Sequence, residues 1–390
     1  MNERLTADLP EAMVTVKRAK TVDTKGGGTV QVAEPRELDA VEFRRKLMGW
    51  YKAHARELPW RGVGDAYRTW VSEVMLQQTR VAAVIDHYQR FMREFPTVVA
   101  LALAPEAQVL AAWSGLGYYR RARMLHRAAQ FIVAELDGVL PGNSVELRTL
   151  PGVGEYTSAA IASIAFGESI AVVDGNVERV LLRLTGRAEE GTAEARKFVQ
   201  RQASALVPKW QGAGNAPGDH NQAMMELGAT ICVPRGPLCL NCPVYAMCRT
   251  RGEHVTLART KQRSLPVAYL LMLRKREVVT EVLLVQRPAE ASLMAGMLEL
   301  PPLPQDVVGG REPVLRLRHS ITNTNYYVEV FSPASSKERK LKSAVPVASG
   351  DMRWVKTSLL GMQPLTGLAR KVLQRLGVMA VKDVVLEEKA

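Results

Sequence analysis

Two carboxylates and one run of cysteines are the places in this 390-residue chain where chemistry has its best chance of residing. Glu73 lies in Trp70-Val71-Ser72-Glu73-Val74-Met75-Leu76-Gln77-Gln78-Thr79, against an apolar stripe that runs on through Val81, Val84, Ile85, Tyr88 and Phe91. A carboxylic acid held in such surroundings loses solvation, its pKa rises, and it suits the protonation of a leaving group. The plainer role is a cap or a solubilising residue on the helix. Asp174, in Val173-Asp174-Gly175-Asn176-Val177, precedes a helical pattern through Val180, Leu181 and Leu184. Its plain role is an N-cap; the same carboxylate, facing a cleft, stabilises positive charge developing on a sugar.

Cys232, Cys239, Cys242 and Cys248 are all the cysteines of the chain and fall in the spacing C-x6-C-x2-C-x5-C. Four soft ligands so close together suit a four-iron, four-sulfur cluster or a structural zinc, in a reducing compartment. No open coordination position is evident, so the expected role is structural and the acid must come from elsewhere.

Helices have to position these groups. Leu150-Pro151-Gly152-Val153-Gly154-Glu155-Tyr156-Thr157 reads as helix, glycine hairpin, helix, and frees backbone N–H groups at a helix start to hold a phosphate through Gly152 and Gly154. Ser114-Gly115-Leu116-Gly117-Tyr118-Tyr119, followed by Arg120, Arg121 and Arg123, fits a loop that nears a phosphate backbone with rings close to bases; the plainer alternative is a packed tyrosine pair beside a solvated basic face. Periodicity predicts further helices over 40–55, 69–95, 101–113, 121–136, 192–210 and 221–228. A net charge of +13 fits a polyanionic partner, and 47% hydrophobic residues suffices for two or three domains. Without a signal peptide's apolar core or an apolar run of roughly twenty residues, a soluble intracellular protein with no membrane is expected.

Taken together, the hairpin run, the Val173–Val177 segment and the cysteine box resemble the helix-hairpin-helix, Gly/Pro-Asp DNA glycosylases that carry an iron–sulfur cluster. Leu58-Pro59-Trp60-Arg61, the Trp70–Thr79 run and Gly115-Leu116-Gly117-Tyr118-Tyr119 are similar to the adenine-DNA glycosylase, or MutY-type, branch. The resemblance implies a mainly α-helical, two-lobed catalytic region, with a six-helix barrel over 69–173 and a cluster lobe of 39–68 plus 174–255. It implies a monomer acting on double-stranded DNA with adenine opposite 8-oxoguanine or guanine. Glu73 matches the catalytic acid, Asp174 the stabilising aspartate and Asn176 its helper. Tyr156 stands where bifunctional glycosylase/lyases carry a lysine, so cleavage of the base without the strand is implied. Trp60 and Arg61 match positions beside the adenine pocket; Gln78 and Tyr118 match residues that enter near the lesion pair. Gly152, Gly154, Arg120 and Arg121 are the implied phosphate contacts, and the four cysteines the ligands of a 4Fe-4S cluster that is structural and DNA-contacting. Ser72 and Glu226 are expected as supporting polar residues.

Residues 1–38 read as a disordered tail with a basic stretch at Lys17-Arg18-Ala19-Lys20, 256–266 as a linker, and 380–390 as a second tail. Between the last two, strand-like runs at 267–273, 279–285 and 326–331 and a helix at 365–376 predict a compact α/β domain, which resembles the Nudix-like lesion-recognition domain of these enzymes. It lacks the glutamate-rich helix of a Nudix hydrolase. The family's Phe-Ser-His loop has no direct counterpart here; His319 and Ser320, in Leu317-Arg318-His319-Ser320-Ile321, are the candidates in reversed order.

Overall fold

The computed structural model describes residues 21–23, 29–31, 39–209, 214–254, 262–333, 345 and 350–380. The basic stretch at 17–20, the linker over 256–261 and the tail over 381–390 lie outside the described residues. Within the tail expected to be disordered, β1 (Thr21–Asp23) pairs antiparallel with β2 (Thr29–Gln31), as the β-branched Thr21, Val22, Thr29 and Val30 favour.

Eleven described helices follow: α1 (Ala40–His54), α2 (Ala66–Leu76), α3 (Val81–Glu94), α4 (Val98–Leu103), α5 (Glu106–Ala112), α6 (Arg120–Glu135), α7 (Ser144–Leu147), α8 (Glu155–Phe166), α9 (Gly175–Thr185), α10 (Ala193–Leu206) and α11 (Ala216–Thr230). They build two cores. Trp70, Phe91, Trp113, Leu125 and Leu147 belong to the first, which gathers α2 to α8. Phe43, Leu47, Leu181, Phe198 and Leu227 belong to the second, which joins α1 to α9, α10 and α11. The candidate carboxylates sit where these halves meet.

The single helix expected over 69–95 is two. Gln78 takes a left-handed φ of 55° between α2 and α3, a conformation that ends a right-handed helix. The helix expected over 101–113 is divided as well, because Pro105 forces Ala104 into extended backbone and then caps α5.

A β-rich domain closes the described chain. Its strands are β3 (Arg263–Leu270), β4 (Leu273–Arg276), β5 (Val279–Gln286), β6 (Leu298–Glu299), β7 (Pro302–Leu303), β8 (Leu315–Ile321), β9 (Thr324–Phe331) and β10 (Asp351–Lys356), followed by α12 (Gly367–Arg375). One sheet has the order β10-β5-β4 with β6 on β5, the other β7-β3-β9-β8, with only β3 and β9 parallel. Leu284, Val330, Val355 and Val372 join the sheets and α12 in a shared core. Residues 317–321, expected as a loop, are strand: alternation through Leu317, His319 and Ile321 pairs them with β9 across the Thr322-Asn323 turn.

The two parts touch. Met297 is fully buried in the first helical core, and the Tyr119 and Ser114 hydroxyls both donate to the Leu365 carbonyl at 2.9 Å. Among the described residues no helix is long and apolar enough to cross a membrane.

Candidate active site

Glu73 faces inward from α2 at 5% exposure, and the Tyr156 hydroxyl, from the first turn of α8, donates to its Oε2 at 2.5 Å. Burial is the main force that pushes the Glu73 carboxyl up to about 7; the hydrogen bond from Tyr156 opposes it, Asp174 adds to it, and the Arg61 charge opposes it. Burial also holds the Tyr156 phenol well above its ordinary range, so it stays a donor. A carboxyl that is half-protonated near neutrality is poised to give a proton to a bound group.

Asp174 is the N-cap of α9. Its Oδ1 accepts from the Asn176 and Val177 amides at 2.9 and 2.8 Å, and its Oδ2 from Asn176 Nδ2 at 2.8 Å. The cap and the cleft-facing carboxylate are one residue, because the same cleft, of about 740 Å³, is lined by Glu73, Asp174, Tyr156, Asn176, Arg61 and Trp60. Trp60 is nearly buried, edge-on to Tyr88 at 5.3 Å.

Arg61 reaches Glu226 on α11, donating from Nη2 at 2.7 Å. Arg56 donates to the same carboxylate from Nε and Nη2 at 2.6 and 2.7 Å. Burial alone pushes Glu226 up, but these hydrogen bonds outweigh it and hold its pKa below the ordinary value. Ser72 donates to the Thr69 carbonyl and has a local role. Sequence reasoning missed Arg56, 170 positions from its partner, and Arg179, whose Nη2 donates to Asn176 Oδ1 at 2.8 Å. The three-residue spacing of Asn176 and Arg179 on one helix was the available signal for the second.

Gln78 borders this cleft and a larger one of about 960 Å³, which also takes in Tyr118, Arg120, Gly152, His319 and Ser320. Tyr118 is 46% exposed there. His319 is half-buried on β8, and burial lowers its pKa, with Lys371 adding to the effect. The Ser320 hydroxyl donates to Asn325 Oδ1 at 2.6 Å. Gly152 has a φ of +74°, and a Cβ on it would stand 2.4 Å from Met124 Cβ, so the hairpin closes on α6 only with glycine there. Gly154 is extended backbone at the start of α8, where no side chain caps the helix. Arg120 is exposed, whereas the guanidinium of Arg121, the other arginine expected at a phosphate, turns inward onto the carbonyls of Val74, Met75 and Gln77.

The expected iron–sulfur site is corrected. Among the described residues no group of three or more His, Cys, Asp or Glu could hold a metal ion, and Cys232, Cys239, Cys242 and Cys248 are free, half-buried cysteines. Two of the sulfurs are engaged with the chain: Arg183 Nη1 lies 3.4 Å from Cys232 Sγ, and Cys248 Sγ donates to the Arg183 carbonyl at 3.4 Å. Burial pushes the Cys242 thiol up to about 11. Cys232, Cys242 and Cys248 pack on the second core as small apolar side chains.

A family model described as HhH-GPD superfamily base excision DNA repair protein matches residues 71–208. An adenine DNA glycosylase of Rattus norvegicus is 46% identical over 237 residues, which is 58% of this chain and 45% of that one. That of Mycolicibacterium smegmatis is 41% identical over 222 residues, 56% of this chain and 73% of that one. The chain spans less than half the length of the rat relative. Among solved structures, a thermostable thymine-DNA glycosylase is 29% identical, with a TM-score of 0.49, over 54% of this chain and 96% of that one.

Proposed function

The chain belongs to the adenine DNA glycosylase family, and from that premise we propose that it hydrolyses the N-glycosidic bond of adenine opposite 8-oxoguanine or guanine in double-stranded DNA, acting as a monomer and leaving the strand intact. The observation that carries this reading is the buried Glu73 carboxyl, with a pKa near 7, hydrogen-bonded by Tyr156 in the cleft that also holds Asp174.

Adenine cannot be attacked inside the duplex, so it is extruded into the cleft, at a cost of a few kcal/mol. Glu73 gives its proton to a ring nitrogen. The bond from the sugar C1′ to the base then breaks with its electron pair leaving on adenine, now a neutral molecule. The Asp174 carboxylate, oriented by three donors, faces the positive charge left on the sugar. Water adds to C1′ and returns a proton to the Glu73 carboxylate. Tyr156 supplies a hydroxyl where an amine would form a Schiff base, so no lyase step follows. Trp60 and Arg61 border the extruded base, with Arg61 held by Glu226.

Gln78 and Tyr118 are the side chains that enter the duplex, and the backbone around Gly152 and Gly154, with Arg120, meets phosphates. We take residues 39–255 as the catalytic unit, divided at 69–173, and the β-rich domain over 267–379 as Nudix-like and lesion-reading, with His319 and Ser320 toward the 8-oxoguanine. Single-turnover assays on duplexes carrying adenine opposite 8-oxoguanine and on thymine glycol duplexes test the reading. Adenine release with strand breaks only after alkali is the expected result. Release of the oxidised pyrimidine with spontaneous strand scission would overturn it.

A further inference from the structure

Arg121 sits at the back of the larger cleft and ties together two segments that sequence keeps apart. Its Nη1 reaches the carbonyls of Val74, Met75 and Gln77 at 2.7, 3.1 and 2.5 Å. Nη2 reaches Thr79 Oγ1 at 3.2 Å and the Leu116 and Gly117 carbonyls at 3.4 Å. The guanidinium lies 5.5 Å from the Trp113 ring and 5.3 Å from the Tyr118 ring, centroid to centroid of charge. Burial lowers its pKa to about 10, which leaves it charged at neutral pH.

Each of these segments ends in an exposed side chain at a positive φ: Gln78 at 55° and Tyr118 at 49°. A non-glycine residue is strained in that conformation, which therefore persists only where its surroundings hold it. Arg121 grips the carbonyl immediately before each of the two, Gln77 and Gly117. A fixed carbonyl fixes its peptide plane, and φ of the next residue is measured from that plane. Trp113 Nε1 donates to the same Gly117 carbonyl at 3.1 Å and braces it further.

We propose that Arg121 is a positioning residue for base extrusion, which presets Gln78 and Tyr118 as one rigid pair facing the duplex. This rests on the reading of those two side chains as the ones that enter DNA. Insertion by a pair already in place loses less conformational entropy than insertion by two mobile side chains. Arg121 thus acts on the step before Glu73 gives its proton, and leaves bond cleavage in an already unstacked substrate untouched.

The test compares single-turnover adenine release by Arg121→Lys on two duplexes: adenine opposite 8-oxoguanine in a matched context, and the same pair flanked by mismatches that unstack it beforehand. A lysine ammonium cannot reach both segments, so release from the matched duplex should fall about tenfold to a hundredfold, and from the pre-unstacked duplex by less than about threefold. In a Gln78→Ala/Tyr118→Ala background, adding Arg121→Lys should cost less than about twofold more on the matched duplex. Equal loss on both duplexes, or full additivity in the triple variant, overturns the proposal. Should Arg121→Lys not fold, Thr79→Val removes one acceptor and should show the same selectivity at roughly two- to tenfold; a loss shared by both duplexes overturns it again. Failure of the unsubstituted protein to release adenine from either duplex refutes the glycosylase reading instead. In that case the fluorescence of 2-aminopurine opposite 8-oxoguanine still decides on Arg121: it should rise on binding the unsubstituted protein and stay low with the variant, and equal rises contradict the preset pair.

Discussion

Glu73→Gln should make the protein more stable while it stops catalysis, and the gain should grow with pH. Burial lifts the Glu73 carboxyl from its ordinary 4.5 to about 7, so the folded protein binds this proton more tightly than the unfolded chain does. A group with a raised folded-state pKa favours the fold at low pH, and that advantage is lost as pH rises from the unfolded value through about 7. Relative to an uncharged residue, the carboxylate costs roughly 1 kcal/mol at about pH 5 and about 3 kcal/mol at about pH 8. Glutamine keeps an acceptor for the Tyr156 hydroxyl and carries no charge, so the difference between variant and parent should widen by about 2 kcal/mol across that range. Urea unfolding of both proteins, measured as pairs at each pH so that shared contributions cancel, reads the effect. A difference that stays constant with pH would refute the claim that Glu73 is buried at the expense of stability.

Other perturbations follow from the same geometry. Asp174→Asn keeps the helix cap but removes the negative charge, and single-turnover adenine release should fall by about 10²–10³ while binding to a duplex with a non-cleavable adenine analogue is retained; undiminished release would remove Asp174 from the mechanism. Gly152→Ala places a Cβ against Met124 at a φ of +74°, so the melting temperature should drop, by about 2 kcal/mol or more in stability, and DNA affinity should fall with it; an unchanged melt would show that the hairpin can relax away from α6. Replacing His319 or Ser320 by alanine should reduce the preference for 8-oxoguanine over guanine, read as a ratio of rates, more than it reduces general DNA affinity; an equal loss on both duplexes argues against a lesion-reading role.

Features written in local sequence were the legible ones. The hairpin at Gly152–Gly154 and the start of α8 follow from glycine and proline placement, and the Asp174 cap follows from an aspartate ahead of a helical pattern. Pairings across the chain were not legible. Nothing near Tyr156 announces that its hydroxyl meets Glu73, 83 positions earlier, nor that Arg56 and Arg61 share Glu226. Arginines are the hardest case: Arg120 and Arg121 are identical neighbours in sequence, yet one turns to solvent and the other into the carbonyls behind the cleft, because helix phase at the start of α6 separates them by about 100°. The break at Gln78 escaped periodicity for the same reason, since the stripe resumes in phase on α3 and a left-handed glutamine has no composition signal. The cysteine spacing suggested a ligand set, whereas Cys232, Cys242 and Cys248 pack on the second core and the sulfurs of Cys232 and Cys248 meet Arg183.

Adenine release by the unsubstituted protein and by Glu73→Gln, at neutral pH and saturating protein on a duplex carrying adenine opposite 8-oxoguanine, bears most directly on Glu73 as the acid. Free adenine and an abasic strand that breaks only in alkali should appear with the unsubstituted protein, and almost none with the variant, although both bind the duplex. Release by Glu73→Gln at the parental rate would contradict the account.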